Sequence, residues 1–584
     1  MARTSTEENS APQDEASSSE LDVLRRRVAE LEANPRYGLV WREIAEAVEQ
    51  RLRDEVPVLI PETSLNISGA LPSDQAHVLI EGDNLHALNV LRATHEGKID
   101  IIYIDPPYNR GKDLIYNDSM VDKADPFRHS KWLSFMAKRL DIAWQLLNNS
   151  GFIFISIDDN SHAHLKLLCD KIFGPERFVA NFVWVKKRKA SNLDRSVRSV
   201  TEYILCYAKL ARPLIHPDDV VDADKPYPFY NTGNNRKTLK FPSGLVFQTV
   251  KNQVFQPQIF KAKKTHVRLI DTVEVKDGIS QNEFSLEGEW RYSQQKLDDM
   301  IQAGQSVVFK GVDFKPYFIN DSTTRYKTMK TLLSGETYGI GTNEDGNQEV
   351  AELIGNKAFD YPKQVSLIKN ILKAVPFLTG SPVVLDFFAG SGTTLHAVAE
   401  LNAEDGGTRN CILITNDEND ICRKVTVPRV KAVLTGVWAD QAQHEALPGS
   451  LAFYTTGFLQ RSKSGDRMRA ELARHTIDLV SVKEAAGGVA MATGEIAVLY
   501  GLNKTVAVVP GLEPDHTKLC REAEQRVRSG DRRISYVFTW SDDGVEAEFR
   551  ALWPGWEVKP LPAEMLSALR KSSPQLRLFA SEGL

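Results

Sequence analysis

The sequence has few cysteines and no long hydrophobic run. Its 584 residues include five cysteines, none in a CxxC pair or at Cys/His ligand spacing. We therefore expect reduced, mostly buried thiols and no metal site. Because no run of about 18 apolar residues exists, we expect nothing to span a membrane. The N-terminus is polar and rich in Ser and Glu, without an apolar signal region. The reduced thiols lead us to expect a cytoplasmic protein.

An excess of positive charge is also absent. The formal net charge of −5 argues against a uniformly basic nucleic-acid-binding protein, but it leaves room for a local basic surface. The hydrophobic content of 42% is ordinary for a globular chain. A chain of this length predicts roughly three or four domains.

A β-branched apolar run ends at an acidic loop with two prolines in residues 101–109, IIYIDPPYN. The run predicts a buried strand, and proline cannot continue a central sheet, so Asp105 is predicted at the end of that strand. The Asp105 carboxylate and the Pro106 carbonyl would accept both hydrogens of an exocyclic amino group, while the Tyr108 ring stacks on the base. The alternative is a strand that ends in an ordinary proline turn, with Asp105 as a cap.

Strands and helices alternate around this loop. An amphipathic helix is predicted at 37–56, closed by Pro57 and Pro61, and another at 130–147. Strands are predicted from the apolar runs at 78–80, 101–104, 152–157, 179–185 and 203–207. This alternation with short connections predicts a doubly wound α/β sheet.

A second strand-to-helix turn lies at 382–394, PVVLDFFAGSGTT. No Lys follows the glycines, which excludes a P-loop, and Leu395 stands where a dinucleotide fingerprint has its third Gly. The next strand, at 411–415, ends before Asp417 and Glu418, and an acid at that place commonly binds ribose hydroxyls. Together these segments predict a site for a nucleoside-carrying cofactor.

Basic and aromatic residues interleave at 211–345, where the regular alternation stops. This composition predicts an inserted α+β module that engages duplex DNA. The alternative is a generic insertion with a basic surface. The run Lys186–Lys189, with Arg195 and Arg198 beyond it, predicts either a phosphate-contacting loop or a solvated face.

The motifs DPPY and DFFAGSG, in this order with the insertion between them, resemble the β-class amino-group DNA methyltransferases that use S-adenosylmethionine. The chain is more similar still to the modification (Mod) subunits of type III restriction–modification systems, through the segments YGLVW at 37–41, EGDNL at 81–85, ISIDD at 155–159 and FDYPK at 359–363. The resemblance implies a circularly permuted, Rossmann-like methyltransferase sheet with an inserted α+β DNA-recognition module and a small C-terminal α/β module.

The resemblance also implies roles for individual residues. Asp105, Pro106, Pro107 and Tyr108 would form the catalytic loop that holds a flipped base. The residues implied in cofactor binding are Asp83, Lys363, Asp386, Phe388, Gly390, Gly392, Thr393 and Glu418, with Asp417 as the alternative ribose acid. Asp at the first position of the loop favours adenine N6 over cytosine N4. Arg110 and Thr201 depart from the family, which more often has Thr and His at these positions.

The domain boundaries and partners follow from these features. We expect a disordered tail at 1–20, an N-terminal helical segment at 21–75 with two heptads at 21–31, a catalytic half at 76–210, a target-recognition domain at 211–345, a cofactor-binding half at 346–445 and a C-terminal α/β domain at 446–584. The expected partners are double-stranded DNA, a second copy of the chain and a restriction (helicase–nuclease) subunit. The alternatives are a cytosine-N4 enzyme, a solitary regulatory methyltransferase and an inactive DNA-binding scaffold.

Overall fold

A computed structural model describes residues 41–561, except 43, 71–75, 112–114, 117–118, 121, 123, 189–196, 198, 211–212, 214, 216–219, 222–226, 263–264, 305, 320–324, 327, 356–360, 376–380, 462–471, 487, 494, 512–513 and 539–546. The tail predicted at 1–20, the heptads at 21–31, and the basic residues Lys189, Arg195 and Arg198 lie outside the described residues. Two compact units are present, one of them formed by residues 214–330 and 373–377.

The larger unit begins with alternating strands and helices. They are α1 (Ala47–Asp54), β1 (Glu55–Pro61), β2 (Ala76–Glu81), α2 (Asn84–His95), β3 (Ile99–Ile104), β4 (Ile115–Tyr116), β5 (Ser119–Met120), α3 (Arg128–Leu146), β6 (Leu147–Ile157), α4 (His162–Phe173), β7 (Phe178–Val185) and β8 (Thr201–Ala208). The strands predicted from apolar runs and the helix predicted at 130–147 are confirmed.

The smaller unit is mostly β-structure. Its elements are β9 (Val220–Val221), β10 (Tyr227–Pro228), β11 (Lys237–Phe241), β12 (Val246–Phe247), β13 (Gln253–Phe255), β14 (Gln258–Ala262), β15 (Thr265–Leu269), β16 (Val273–Lys276), β17 (Ile279–Ser280), β18 (Phe284–Gly288), α5 (Gln294–Gln302), β19 (Ser306–Phe309), β20 (Pro316–Ile319) and β21 (Arg325–Tyr326). They form a seven-stranded, a four-stranded and a two-stranded sheet.

Several aromatic residues of the interleaved stretch lie inside this smaller unit. Phe229 and Trp290 are fully buried, and Tyr230 is 6% exposed. They pack with Phe241 and Phe309 in one hydrophobic cluster. These aromatic side chains therefore form the core of the unit.

The larger unit continues after the smaller one. Its next elements are β22 (Leu332–Leu333), α6 (Gly335–Tyr338), α7 (Asn343–Ile354), α8 (Val365–Ala374), β23 (Val383–Asp386), α9 (Thr393–Asp405), β24 (Asn410–Thr415), α10 (Val427–Thr435) and β25 (Ser450–Gln460). A π-helical turn, Cys422–Thr426, leads into α10.

The main sheet has ten strands in the order β1-β25-β2-β24-β23-β3-β6-β8-β7-β22. The run from β25 to β6 is parallel throughout, whereas β1 and β8 pair antiparallel with their neighbours. The fold is thus a mixed α/β sheet. Since β23 lies beside β3, the turn after Asp386 and the loop after Ile104 occupy the same edge of the sheet.

Two sheet strands differ from the sequence prediction. Pro57 and Pro61 were expected to close a helix at 37–56, but they lie in β1. Among the described strands, β1 is at the edge of the sheet and pairs with β25 alone. An edge strand tolerates proline because one side needs no ladder hydrogen bonds. Strand β25 was placed in the C-terminal domain, yet it pairs with β2 inside the main sheet.

A second sheet lies in the C-terminal part of the larger unit. Its elements are α11 (Thr476–Lys483), β26 (Gly488–Ala492), β27 (Ala497–Gly501), β28 (Lys504–Val509), α12 (His516–Glu524), β29 (Arg532–Phe538), α13 (Ala547–Leu552) and β30 (Glu557–Leu561), with the five strands in chain order. Leu479 of α11 and Ile534 of β29 belong to the same hydrophobic core as Leu88 of α2. All five cysteines are free and buried. Among the described helices, none has the length and hydropathy to span a membrane.

Candidate active site

The loop after β3 is held in place by its surroundings. Ile104 is fully buried, and Pro106 and Pro107 end the strand because they offer no backbone donor. The indole Nε1 of Trp132, on α3, donates to the Pro107 carbonyl oxygen at 2.6 Å. Asn109 then turns the chain with a φ of 60°. The loop therefore presents Asp105 and Tyr108 in a fixed arrangement.

Asp105 has donors on both carboxylate oxygens. The Tyr108 hydroxyl donates to Oδ1 at 2.7 Å, and Lys363 Nζ lies 2.8 Å from Oδ2. Tyr108 is 8% exposed. Burial and the neighbouring carboxylates raise the pKa of Tyr108 well above its usual range, so its hydroxyl stays protonated and remains a donor.

Glu202, on β8, is a member of this group that the sequence analysis did not identify. Its carboxylate lies 3.2 Å from the Tyr108 hydroxyl, 3.4 Å from Lys363 Nζ and 3.1 Å from Lys186 Nζ. Burial raises the pKa of Glu202, but Lys363, Lys186 and Arg110 outweigh burial and lower it. A charged residue within an otherwise apolar strand, TEYILCYA, is the signal that could have revealed it.

Arg110 borders the same loop. Its Nε donates to Asp158 Oδ2 at 2.7 Å and its Nη2 to Glu202 Oε1 at 3.4 Å. The guanidinium carbon lies 4.9 Å from the centroid of the Tyr108 ring. Asp158 follows β6 and Glu202 lies on β8, so Arg110 links the loop to both neighbouring strands.

The glycine-rich turn after β23 needs its glycines. Gly390 and Gly392 have φ values of 48° and 78°, and residues that carry a Cβ adopt such values only with strain. A Cβ on Gly392 would lie 3.2 Å from Thr426 Cγ2. The Thr426 hydroxyl donates to the Gly390 carbonyl oxygen at 2.5 Å. Helix α9 begins directly after the turn at Thr393, so its free amides face the turn.

Asp386 lies buried at the start of this turn. Its carboxylate accepts hydrogen bonds from the Thr394 hydroxyl at 2.5 Å and from the Phe388 amide at 3.0 Å. Burial, aided by the charge of Asp105, raises the pKa of Asp386 to about 7, although the two hydrogen bonds lower it. An acid that titrates near neutral pH is thus placed where a cationic ligand would stabilise its charged form.

Asp83 lies at the end of β2 and caps α2. Its Oδ1 accepts a hydrogen bond from the Leu85 amide at 2.7 Å. The next residue, Asn84, donates to the Phe387 carbonyl oxygen at 2.9 Å. The fully buried Arg139 lies 3.4 Å from Asp83 Oδ2 and 3.0 Å from Glu46 Oε2. These contacts join the β2 turn to the glycine-rich turn.

Lys363 contacts both halves of the predicted site. Its backbone carbonyl accepts a hydrogen bond from the Thr393 hydroxyl at 3.2 Å. Its ammonium group, by contrast, contacts Asp105, Tyr108 and Glu202. The resemblance implied that Lys363 completes the cofactor pocket, and the structure adds an ion pair with Asp105 that the sequence did not reveal.

The acids after β24 occupy different surroundings. Asp417 is partly buried, and its Oδ1 accepts a hydrogen bond from the Arg423 amide at 3.0 Å. Arg423 Nε also donates to Glu81 Oε2 at 2.8 Å, which ties this segment to β2. Glu418 is exposed, with Oε2 3.4 Å from Asn416 Nδ2. Both acids therefore lie beyond the carboxyl ends of the strands.

Glu349, His396 and Glu400 bring ligand atoms within 4.8 Å of one another. Arg429 Nη2 lies 3.3 Å from Glu349, and Lys369 Nζ lies 2.7 Å from Glu400. The carboxylates are therefore already paired with cations of the chain, and we assign no metal to this cluster.

Fold and site together define an α/β protein with an acidic, proline-stiffened loop and a glycine-rich turn side by side. Residues 99–423 match the family model described as DNA methylase, and this match spans more than half of the chain. The chain belongs to the DNA methylase family.

Two relatives and one solved structure show the extent of the similarity. The chain is 33% identical over 440 residues to the type III restriction–modification enzyme StyLTI Mod subunit of Salmonella typhimurium, with 68% of this chain and 61% of that protein covered. It is 34% identical over 347 residues to the type II methyltransferase M.KpnI of Klebsiella pneumoniae, with 58% and 79% covered. The solved structure of the PvuII DNA methyltransferase (cytosine-N4-specific) is 10% identical to this chain, with a TM-score of 0.31. The match covers 62% of this chain and 90% of the PvuII chain. The chain thus spans less than two thirds of the StyLTI Mod subunit.

Proposed function

We propose that the protein is a site-specific DNA methyltransferase that transfers a methyl group from S-adenosylmethionine to adenine N6 in duplex DNA, with the target base flipped out of the helix. One observation carries this proposal. The pairing of Val384 with Ile101 and of Leu385 with Ile102 in parallel strands brings the glycine-rich turn and the DPPY loop to the same edge of the sheet. A donor site and an acceptor site side by side are what direct transfer requires.

The residues of the glycine-rich turn fit the proposed cofactor. Gly390 and Gly392 have left-handed backbone conformations and no side chains, so a ligand can approach the backbone of the turn. The buried carboxylate of Asp386 suits a cationic amino acid moiety. The residues that would hold the cofactor are Asp83, Lys363 through its backbone, Asp386, Phe388, Gly390, Gly392, Thr393 and either Asp417 or Glu418. When bound, S-adenosylmethionine supplies an electrophilic methyl group.

The DPPY loop supplies the acceptor side. An exocyclic amino nitrogen is a weak nucleophile because its lone pair is delocalised into the ring. Asp105 and the Pro106 carbonyl would accept its two hydrogens and so favour a nitrogen with a free lone pair, while Tyr108 stacks on the base. Positioning and electrostatics then suffice for direct transfer, and the proton that the methylated nitrogen must lose would pass to the Asp105 carboxylate. The carboxylate at Asp105 favours adenine over cytosine.

The order of the segments supports a circularly permuted methyltransferase domain, since the DPPY strand β3 precedes the glycine-rich strand β23 in the chain. We propose that the unit at 214–330 recognises the target sequence. By analogy with the StyLTI Mod subunit, the chain would act in a type III restriction–modification system, in the cytoplasm, as a homodimer with a helicase–nuclease partner.

A second candidate is a methyltransferase that acts without such a partner. It is favoured by the similarity to M.KpnI, a type II methyltransferase of which this chain covers 79%. The experiment that tests the proposed function is incubation of the purified protein with S-adenosylmethionine, labelled in its methyl group, and unmethylated bacterial DNA. Digestion to nucleosides should place the label in N6-methyl-2′-deoxyadenosine. Label in N4-methyl-2′-deoxycytidine would contradict the adenine assignment, and an absence of label would contradict the activity.

A further inference from the structure

Lys363 lies in the proposed base pocket with its ammonium group bound to three acceptors. Nζ lies 2.8 Å from Asp105 Oδ2, 2.9 Å from the Tyr108 hydroxyl and 3.4 Å from Glu202 Oε2. Burial disfavours the charged ammonium, but Asp105 and Glu202 outweigh burial and hold the pKa of Lys363 above its ordinary value. The charged ammonium group of Lys363 is therefore paired with the Asp105 carboxylate, to which the target amino group is proposed to donate.

The target base and Lys363 compete for the same atom. Tyr108 already donates to Asp105 Oδ1 at 2.7 Å, so Oδ2 is the oxygen that an incoming amino group would reach by displacing Lys363. In addition, the acceptor nitrogen gains positive charge as it receives the methyl group, and an adjacent ammonium opposes that charge. Base entry and methyl transfer are therefore both favoured when Lys363 has left Asp105.

Glu202 offers Lys363 a second position. This residue is 4% exposed, and its Oε1 is held by Lys186 at 3.1 Å and by Arg110 at 3.4 Å. Its Oε2 faces Lys363 Nζ. The carboxylate is thus fixed and charged, and the ammonium needs only to shorten its 3.4 Å contact with Oε2 to form a full ion pair there.

We propose that Lys363 is a placeholder for the target amino group, and that Glu202 is the positioning residue that receives its ammonium when the base enters. Without a base, Lys363 keeps Asp105 and Tyr108 in register. With a base, Glu202 neutralises the displaced ammonium, and Asp105 is free to accept the amino hydrogen. This inference rests on the proposed methyltransferase function.

The test is a double-mutant cycle with Glu202→Gln and Lys363→Met on a duplex that carries a site methylated by the wild-type protein. In Glu202→Gln the ammonium stays on Asp105, so we expect KM for DNA to rise about 10-fold and kcat to fall about 3-fold. Lys363→Met alone should lower kcat about 10-fold because the loop loses its internal cation. The double variant should exceed Glu202→Gln in kcat/KM by about 3-fold, since the competitor is gone and KM returns to its wild-type value, while kcat keeps the loss seen in Lys363→Met.

Controls separate positioning from general damage. Glu202→Asp keeps the charge and should recover most of the lost kcat/KM. Glu484→Gln removes another buried carboxylate, one that pairs with Lys504 at 3.0 Å in the five-stranded sheet, and should lower the melting temperature without changing KM or kcat. Titration with S-adenosylmethionine should give affinities within about twofold of wild type for Glu202→Gln, because the contact of Glu202 with a proposed cofactor residue is to the ammonium group of Lys363, whereas the backbone of Lys363 is the part proposed to hold the cofactor.

A double variant no more active than Glu202→Gln would overturn the placeholder role, because a purely structural Glu202 gives additive or worse losses. If Glu202→Gln does not fold, the same cycle is run with Glu202→Met, which likewise removes the charge that would receive the displaced ammonium. Adding Lys363→Met must again raise kcat/KM, and a further fall would overturn the proposal. A wild-type protein without methyl transfer would instead contradict the proposed function itself.

Discussion

Asp105 and Asp386 lie at the carboxyl ends of neighbouring parallel strands, although the inserted unit separates them in the sequence. Strand β3 leads into Asp105 and strand β23 ends at Asp386. Burial raises the pKa of Asp386, and the charge of Asp105 at the same edge of the sheet adds to this rise. This relationship joins the proposed acceptor loop to the proposed cofactor turn.

Replacement of Asp105 by Ala should lower the rate of methyl transfer at least about 100-fold, because the amino group loses a positioned acceptor. Binding of S-adenosylmethionine should persist, since Asp105 is not among the residues proposed to hold the cofactor. Labelled methyl incorporation and a cofactor titration measure the two effects. Asp105→Asn, which keeps the shape and one acceptor oxygen, should fall between Asp105→Ala and wild type. Near-normal turnover in Asp105→Ala would refute the assignment.

The stability of the ligand-free protein should depend on pH through Asp386. Its pKa rises from 3.8 to about 7 on folding, so the folded state binds more protons than the unfolded state between these values. The free energy of unfolding therefore falls as pH rises from 4 to 7, by up to about 4 kcal/mol from this group. Urea unfolding at pH 5 and pH 8 should show a smaller difference in Asp386→Asn than in wild type. Equal differences in the two proteins would argue against a buried, proton-binding Asp386.

Gly392→Ala should weaken cofactor binding at least about 10-fold and destabilise the protein by about 1–3 kcal/mol. The new Cβ would strain a φ of 78° and press on Thr426. Gly406→Ala is the matched control, because Gly406 has a φ of 67° but open space around its Cβ position. It should cost a similar backbone strain and leave cofactor affinity unchanged. If both variants bind the cofactor like wild type, the turn is not the cofactor site.

The sequence predicted those parts of the fold and site that depend on local pattern. The β-branched runs before Asp105 and Asp386 predicted the two central strands, and the prolines and glycines after them predicted the turns. The prediction that Pro57 closes a helix was wrong. A strand accepts a proline when it lies at the edge of a sheet, and the local sequence pattern does not indicate that position. The sequence pattern placed Phe229 and Trp290 in a DNA-binding module, but both side chains are buried and stabilise the core of that unit.

The Lys363–Glu202 network could not be derived from the sequence either. Glu202 reaches the loop only because β8 pairs with β6, and Lys363 reaches it from the segment before α8. The mutual positions of three distant segments determine these contacts. Ion pairs of this kind follow from tertiary packing, whereas capping and turn residues follow from neighbours in sequence.

Arg139→Met should destabilise the larger unit by about 3 kcal/mol, because Lys138 at 3.7 Å is then the cation that remains beside the buried Glu46 among the described residues. The turn at Asp83 should loosen as well, so cofactor affinity should fall. Arg532→Met removes an exposed ion pair with Glu557 and should cost under about 1 kcal/mol. Denaturant unfolding of both variants measures the loss in the free energy of unfolding. Equal losses would show that the buried ion pairs of Arg139 stabilise the protein no more than the exposed ion pair of Arg532.

Sequencing of modified bases in DNA from cells that express the protein tests the central claim most directly. The account predicts N6-methyladenine at one recurring sequence, present with the wild-type protein and absent with Asp105→Ala. DNA that carries no new modification, or N4-methylcytosine at the recurring sequence, would contradict the proposal of an adenine methyltransferase.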